Sequence, residues 1–274
     1  MWQSRNVTEM GPPPGRVREI RELAAANGYR WTLQHLLLKT SWRVVRSLEA
    51  RQRALEVRRD LPGINTRARN RRVWDDWDWS RSGEEWTPSP EWKAALVEHV
   101  MTPYLEGRSR IVEIGPGGGR WTEHLQRIAD ELTLVDLSAT CIEQCRKRFS
   151  ACSNISYHVN SGADLSMVAA SSVDAIWSFD AFVHIAPPEI RAYVGEFARV
   201  LVPGGVGVIH HGDGGSTTGW RSAMNAERFR ALLEGVGLEV TRQFDSWGDH
   251  DEFDVKTLGN NPQGDKITAF MRPR

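Results

Sequence analysis

Apolar and polar positions change period several times along the 274 residues. From Ile111 onward, short β-branched runs alternate with stretches whose apolar residues fall three and four apart. A strand covered on both faces reads as a continuous apolar run, whereas an amphipathic helix reads as a stripe of period 3.6. On that basis Ile111–Ile114, Leu132–Asp136, Ile155–Val159, Val173–Phe179 and Val206–His210 are predicted as strands, with Leu238–Phe244 and Ile267–Met271 as closing strands. Trp121–Ile128, Leu137–Phe149, Pro188–Leu201 and Ala226–Leu233 are predicted as helices. Such alternation implies an α/β fold, a doubly wound and mostly parallel seven-stranded sheet.

Upstream the pattern turns helical. Val17–Ala26 reads as a short helix stopped by Asn27-Gly28. Trp31–Arg59 reads as a long helix, with apolar residues at 33, 37, 44, 48 and 55 and arginines opposite, ended by Leu61-Pro62-Gly63. A helix of this kind serves packing or dimerisation, so a homodimer through the N-terminal helices is one expectation. Ser41 and Gln52 break the stripe, which argues against a membrane surface. Met1–Gly15 is expected to be an irregular leader. Between Val73 and Trp92 neither period fits: Trp74, Trp77, Trp79, Trp86 and Trp92 are interleaved with Asp75, Asp76, Asp78, Glu84 and Glu85. We read a loop followed by a helix over Pro90–Val100. Residues 1–92 are thus expected to form a helical, Trp-rich appendage and lid, and residues 93–274 the α/β domain.

The chemistry concentrates where the first strand ends, at Ile111-Val-Glu-Ile-Gly-Pro-Gly-Gly-Gly119. Glycines let the backbone approach a ligand closely, and a helix N-terminus favours an anionic group. A dinucleotide fingerprint would want its third small residue at 120, where Arg120 stands, so NAD fits poorly. Glu113 could meet a cationic ammonium, and Asp136, at the end of the second strand, could accept hydrogen bonds from ribose hydroxyls. Further signals follow at Gly162-Ala-Asp164, at Val173–Asp180 and at Arg199-Val-Leu-Val-Pro-Gly-Gly205.

With these five motifs in order, the chain from about Ile111 to Arg272 resembles a class I S-adenosylmethionine-dependent methyltransferase. The resemblance implies S-adenosylmethionine as cofactor and S-adenosylhomocysteine as product. It implies that Glu113, Gly115, Gly117 and Gly119 hold the methionyl end, Asp136 the ribose and Asp164 the adenine amino group. Leu137, Ala163 and Ser178, beside these positions, complete the expected cofactor set. Residues 93–274 become the S-adenosylmethionine-binding catalytic domain.

Composition narrows the class. No run of 18 apolar residues occurs and the N-terminus lacks an apolar signal core, so the protein is read as soluble and cytoplasmic, without a membrane partner. Cys141, Cys145 and Cys152 match no zinc spacing and are read as reduced thiols. Lys and Arg balance Asp and Glu at 35 each, but Arg16–Arg72 holds 15 basic and 5 acidic residues, which leaves a deficit of ten elsewhere. Packing of a basic appendage on an acidic surface explains this better than nucleic acid.

Ligands of open α/β sheets lie beyond the carboxyl ends of the strands. Asp180 and His184 follow the fourth strand; His210, His211 and Asp213 end the fifth. Methyl transfer to a hydroxyl needs positioning and a base, and histidine titrates in the right range. His184 is the first choice, His211 the second, with Asp180 and His210 as further catalytic candidates. The Asn/Asp-Pro-Pro-aromatic signature of amino-methylating nucleic-acid enzymes is absent at Ser178–Ala181, which favours oxygen as acceptor atom. Tryptophan rings beside carboxylates suit carbohydrate, so Trp77, Trp79, Trp86 and Asp213 are expected to bind substrate. Asp249, His250, Asp251, Glu252 and Asp254 could take magnesium; a solvated acidic loop is the preferred reading, and the metal stays open. The Arg-rich, Lys-poor composition and the aromatic-acidic segment look similar to actinobacterial sugar O-methyltransferases, some of which act on methylmannose oligosaccharides. The expectation is therefore an O-methyltransferase of a small polar acceptor, a saccharide first, mannoside-type oligosaccharides included. The alternatives are a phenolic or polyketide metabolite and a cofactor-binding module without turnover.

Overall fold

The expected strands assemble into one seven-stranded sheet in the order β3-β2-β1-β4-β5-β9-β6. They are β1 (Arg110–Ile114), β2 (Glu131–Asp136), β3 (Ile155–Val159), β4 (Val173–Ser178), β5 (Leu201–Gly212), β6 (Glu239–Phe244) and β9 (Asp265–Met271). β7 (Ser246–Trp247) and β8 (Phe253–Asp254) form a separate antiparallel pair. Pairing is parallel from β3 to β5, and β9 inserts antiparallel between β5 and β6. This computed structural model describes residues 16–214, 221–255 and 264–274; the Met1–Gly15 leader lies outside the described residues.

Both sheet faces are covered, as parallel strands demand. One face carries α7 (Pro187–Val200) and α8 (Ala226–Gly235), with Phe182, Tyr193, Phe197 and Phe229 in the core. The other face is built around Trp92, Trp121, Trp177, Phe179 and Trp247, with α3 (Pro90–Leu96), α4 (Thr102–Leu105), α5 (Thr122–Ile128) and α6 (Ala139–Arg148) on the chain nearby. Ser89 caps α3, accepting the Trp92 N–H at 3.1 Å, and a π-turn over Val97–Met101 links α3 to α4. Trp92 itself donates its indole N–H to the Asp254 carbonyl at 2.9 Å.

The described residues divide into two compact units between Gln52 and Arg53, and the Trp-rich segment falls in the second with the sheet. Helix α1 (Arg16–Arg59) is non-helical at Gly28, where φ is 79° and ψ 158°, close to the expected stop. Leu33, Leu37, Val44 and Leu48, the stripe expected to pack or dimerise, are exposed.

The loop expected from Val73 is corrected by a helix, α2 (Arg67–Asp75). It has no apolar stripe. Its start is fixed by Thr66, whose hydroxyl accepts the Arg69 N–H at 3.3 Å, and its end by contacts with the body, among them Ser138 Oγ donating to Asp75 Oδ1 at 2.6 Å. Two 3-10 turns follow, Trp79–Arg81 and Glu84–Trp86, separated by left-handed Ser82 and Gly83.

Candidate active site

β1 lies between β2 and β4 where the strand order reverses, the place at which open α/β sheets leave a crevice. The glycine turn opens into it. Gly115 (φ 70°) and Gly117 (φ 56°) are left-handed, and a Cβ on either would collide, at Gly115 with Ala181 Cβ and at Gly117 with the Trp79 ring 2.7 Å away. Only glycine therefore lets this turn pass beneath the Trp79–Trp86 segment while keeping its backbone open to a ligand.

A cavity of about 690 Å³ runs from this turn to the Trp-rich segment. That is within the usual range for small-molecule sites. Its lining includes Gly115, Gly117, Asp136, Leu137 and Gly162 from the strand ends, and Trp74, Trp79, Trp86, Arg120, Asp180 and His184. Asp136 Oδ1 accepts the Ser138 N–H at 2.8 Å, and Oδ2 accepts the Gly117 N–H at 3.4 Å. Burial pushes its pKa up to about 6 against these hydrogen bonds. Cys141 reaches the lining and Cys145 donates to the Gly117 carbonyl at 3.2 Å; burial raises both thiols far above neutrality, so they act as small apolar groups.

The floor is a chain of buried charges. Arg120 lies over the Trp121 ring at 4.8 Å and pairs with Asp180. Asp180 also approaches His210 Nδ1 at 3.0 Å, and beyond it His210 Nε2 is 3.5 Å from Asp265, which Arg221 meets at 3.1 Å. Asp180 sits in the left-handed region (φ 64°), a conformation that costs a non-glycine residue about 1 kcal/mol. Burial would raise its pKa, but Arg120 and His210 hold the carboxyl well below the ordinary range. Burial alone would lower the His210 pKa; the carboxylates on both sides raise it instead.

His184 ends a 3-10 turn, Phe182–His184, its ring 5.3 Å from that of Trp74, and it lines the cavity. The other histidine candidates do not. His210 stacks on Phe179 at 4.3 Å beneath Asp180 and reaches the cavity only through that carboxylate. His211, pointing to the opposite sheet face, is pinned between the Gly212 carbonyl (2.9 Å) and Thr268 (2.7 Å). Burial drops its pKa to about 4, so it is neutral near pH 7.

Several expected ligand residues are also relocated. Glu113 is buried outside the cavity lining; its carboxyl accepts the Thr122 hydroxyl at 2.6 Å, and burial pushes its pKa up to about 8. Gly119 packs against Phe149, and Ser178 donates to the Ile114 carbonyl at 2.7 Å. Asp164 is taken up by its own turn, accepting from the amides and hydroxyls of Ser161 and Ser166, and neither it nor Ala163 lines the cavity. Asp213 accepts the Ala226 N–H at 2.9 Å at the start of α8. Trp77 lies behind Trp86, its indole N–H on Glu85 at 2.8 Å. Trp74 and Glu85, from the Trp-acid segment, line the cavity, and so do Asn65, Glu189 and Tyr193, which no periodicity or motif signals.

Among the described residues no group of three His, Cys, Asp or Glu side chains could hold a metal ion. In the acidic loop Asp251 accepts from Ser246 and Glu252 from the His250 amide; its residues 256–263 lie outside the described ones. No described helix is long and apolar enough to cross a membrane.

The sheet order, the glycine turn after β1 and the carboxylate ending β2 define the fold of class I methyltransferases. Residues 111–205 match a family described as a methyltransferase domain. Among curated relatives, a ubiquinone biosynthesis O-methyltransferase of Xanthomonas oryzae is 29% identical over 117 residues, 39% of this chain and 48% of its own. The chain thus spans about half the length of that relative. Nodulation protein S of Rhizobium tropici is 25% identical over 187 residues, 68% of this chain and 75% of its own. Among solved structures, the N-methyltransferase NodS of Bradyrhizobium japonicum in complex with S-adenosyl-L-homocysteine superposes with a TM-score of 0.54 at 19% identity, covering 73% of this chain and 93% of that one. A Pyrococcus horikoshii protein gives 0.54 at 17% identity, with coverage of 72% and 98%. These structures share the fold.

Proposed function

We propose that the protein is an S-adenosylmethionine-dependent O-methyltransferase acting on a polyhydroxylated acceptor of the saccharide class. The observation that carries this reading is one cavity joining the glycine turn and Asp136 to His184, Trp74 and Trp86. The cofactor fits these residues. Gly115 and Gly117 line the cavity with backbone and no side chain of their own, Asp136 brings acceptor oxygens to a ribose, and Leu137 supplies an apolar wall. When bound it supplies a methyl group on a sulfonium.

The chain's own residues do the rest. Trp74 and Trp86 fix the apolar C–H face of the acceptor, and Trp79 over the glycine turn keeps water out. His184 takes the proton of the attacking hydroxyl, whose pKa lies far above neutrality. Arg120 and Asp180 neutralise one another in the floor, so the acceptor meets no net charge there.

Incubation with methyl-labelled S-adenosylmethionine and a panel of mono- and oligosaccharides, amino sugars and phenols tests this. Label should pass to a sugar oxygen, and Trp86→Ala should raise the acceptor KM without changing cofactor affinity. Labelled phenol with every saccharide inert would replace the reading. An amine acceptor is the second reading, favoured by Glu85, whose Oε2 is buried without a partner beside Trp86. A carboxylate among aromatic rings suits a cation, and N-methylated product would decide for it.

A further inference from the structure

Three residues in the cavity lining, Asn65, Glu85 and Glu189, each hold a buried oxygen with no hydrogen-bond partner. Buried polar groups are nearly always paired, so such oxygens mark places where a ligand completes the set. Asn65 is the sharpest case, because its side chain is almost wholly enclosed, at 5% exposure.

Position tells which part of a ligand they meet. Arg67, two residues after Asn65, lays its stem over Gly162, where an added Cβ would be 3.4 Å from Arg67 Cδ and 3.0 Å from Leu137. The Arg67 Nε donates to Glu189 Oε1 at 3.2 Å, and Glu189 Oε2 is the unpartnered atom. This wall therefore adjoins Leu137 and Gly162, which follow β2 and β3 directly after the ribose carboxylate Asp136. Glu85 lies at the other end, with Trp77 and Trp86.

The resemblance gives the adenine amine to Asp164. Here that carboxylate already accepts four donors, from Ser161 and Ser166, and is absent from the lining. A purine's exocyclic amine carries two hydrogens, and a carboxamide offers an acceptor beside a donor, which matches the amine and its neighbouring ring nitrogen. We infer that Glu189, held by the Arg67 that lies over Gly162, and Asn65, two residues before Arg67, both lining the cavity, form the adenine-reading edge of the cofactor site. Asn65 lies outside the segment that matches the methyltransferase domain, so base selectivity comes from a residue preceding that domain. This rests on the cofactor reading above.

Calorimetry with S-adenosylhomocysteine and with S-inosylhomocysteine, which carries a carbonyl oxygen in place of the amine, separates the two claims. The wild-type protein should prefer the adenosyl compound at least tenfold, because the inosyl oxygen would face two acceptors. Asn65→Ala should weaken the adenosyl compound three- to tenfold and leave the inosyl one unchanged or tighter. Glu189→Gln, which turns an acceptor into a donor, should narrow the preference in the same direction, and it decides the matter if Asn65→Ala fails to fold. Wild-type binding of S-adenosylhomocysteine with the full preference retained in both variants would overturn this inference alone. Absence of wild-type binding would overturn the cofactor reading and this inference with it.

Discussion

Glu113 and Asp136 stand on neighbouring strands close to the glycine turn, yet they differ in charge at neutral pH. Burial pushes Glu113 up to about 8, helped by Asp136 nearby and opposed by the Thr122 hydroxyl, so it is mostly protonated at pH 7. Asp136, pushed up to about 6, is mostly ionised. Both folded values lie above the unfolded ones, so the folded state holds more protons within those windows and stability falls as pH rises through them. The Asp136 window closes near its folded pKa, which leaves Glu113 as the carboxyl acting between about pH 7 and 9. The wild-type melting temperature should decline over that interval, and Glu113→Gln should flatten the decline. An unchanged slope in the variant would mean that Glu113 folds as a carboxylate. Spacing shows that Glu113 adjoins the turn, not that its side chain is buried with the Thr122 hydroxyl on its carboxyl.

The strands were legible because burial on both faces leaves long β-branched runs, and the helices of the α/β body because one face of each packs on the sheet. Helix α2 was not, since Arg67–Asp75 carries four arginines and no stripe; tertiary contacts at Thr66, Asn70 and Asp75 hold it, Asn70 Nδ2 donating to the His184 carbonyl at 2.7 Å. That contact ties α2 to the 3-10 turn that places His184. The same limit applies to the histidines: His184 follows the end of β4, and His210 and His211 lie in the last residues of β5, where successive side chains point to opposite faces, His210 to the Asp180 side and His211 to Phe229. Asp180 was expected near the chemistry and does line the cavity, but its partner Arg120 had been read only as a bulky residue that excludes NAD. Asp180→Ala should leave that guanidinium buried without its partner and cost about 3–5 kcal/mol. Relaxation of the left-handed backbone is no remedy, because alanine tolerates that conformation less well still. Urea denaturation measures the loss, and a change under about 1 kcal/mol would show that Arg120 finds water or another acceptor.

On the scale of the whole molecule, residues from both sides of the matched domain converge on one cavity: Trp74, Trp79 and Trp86 before it, Arg221 after it. Such convergence is invisible in a linear reading, which assigns the cofactor to motifs and leaves the flanks to packing. If His184 serves as base at the acceptor end, His184→Ala should lower kcat about 10²- to 10⁴-fold with cofactor affinity intact, whereas His211→Ala should act only through stability. Near-full kcat in His184→Ala would remove His184 from the mechanism.

On the proposed function, the cavity at the glycine turn takes the cofactor and Asp136 anchors its ribose. Calorimetric titration of the wild-type protein and of Asp136→Ala with S-adenosylhomocysteine at about pH 7.5, above the raised Asp136 pKa, tests it most directly. The expected result is one site in the wild type and affinity weakened at least tenfold in the variant, from the loss of charge-assisted hydrogen bonds worth about 1.5–3 kcal/mol. Equal affinity in the two proteins, or no binding by the wild type, would contradict it.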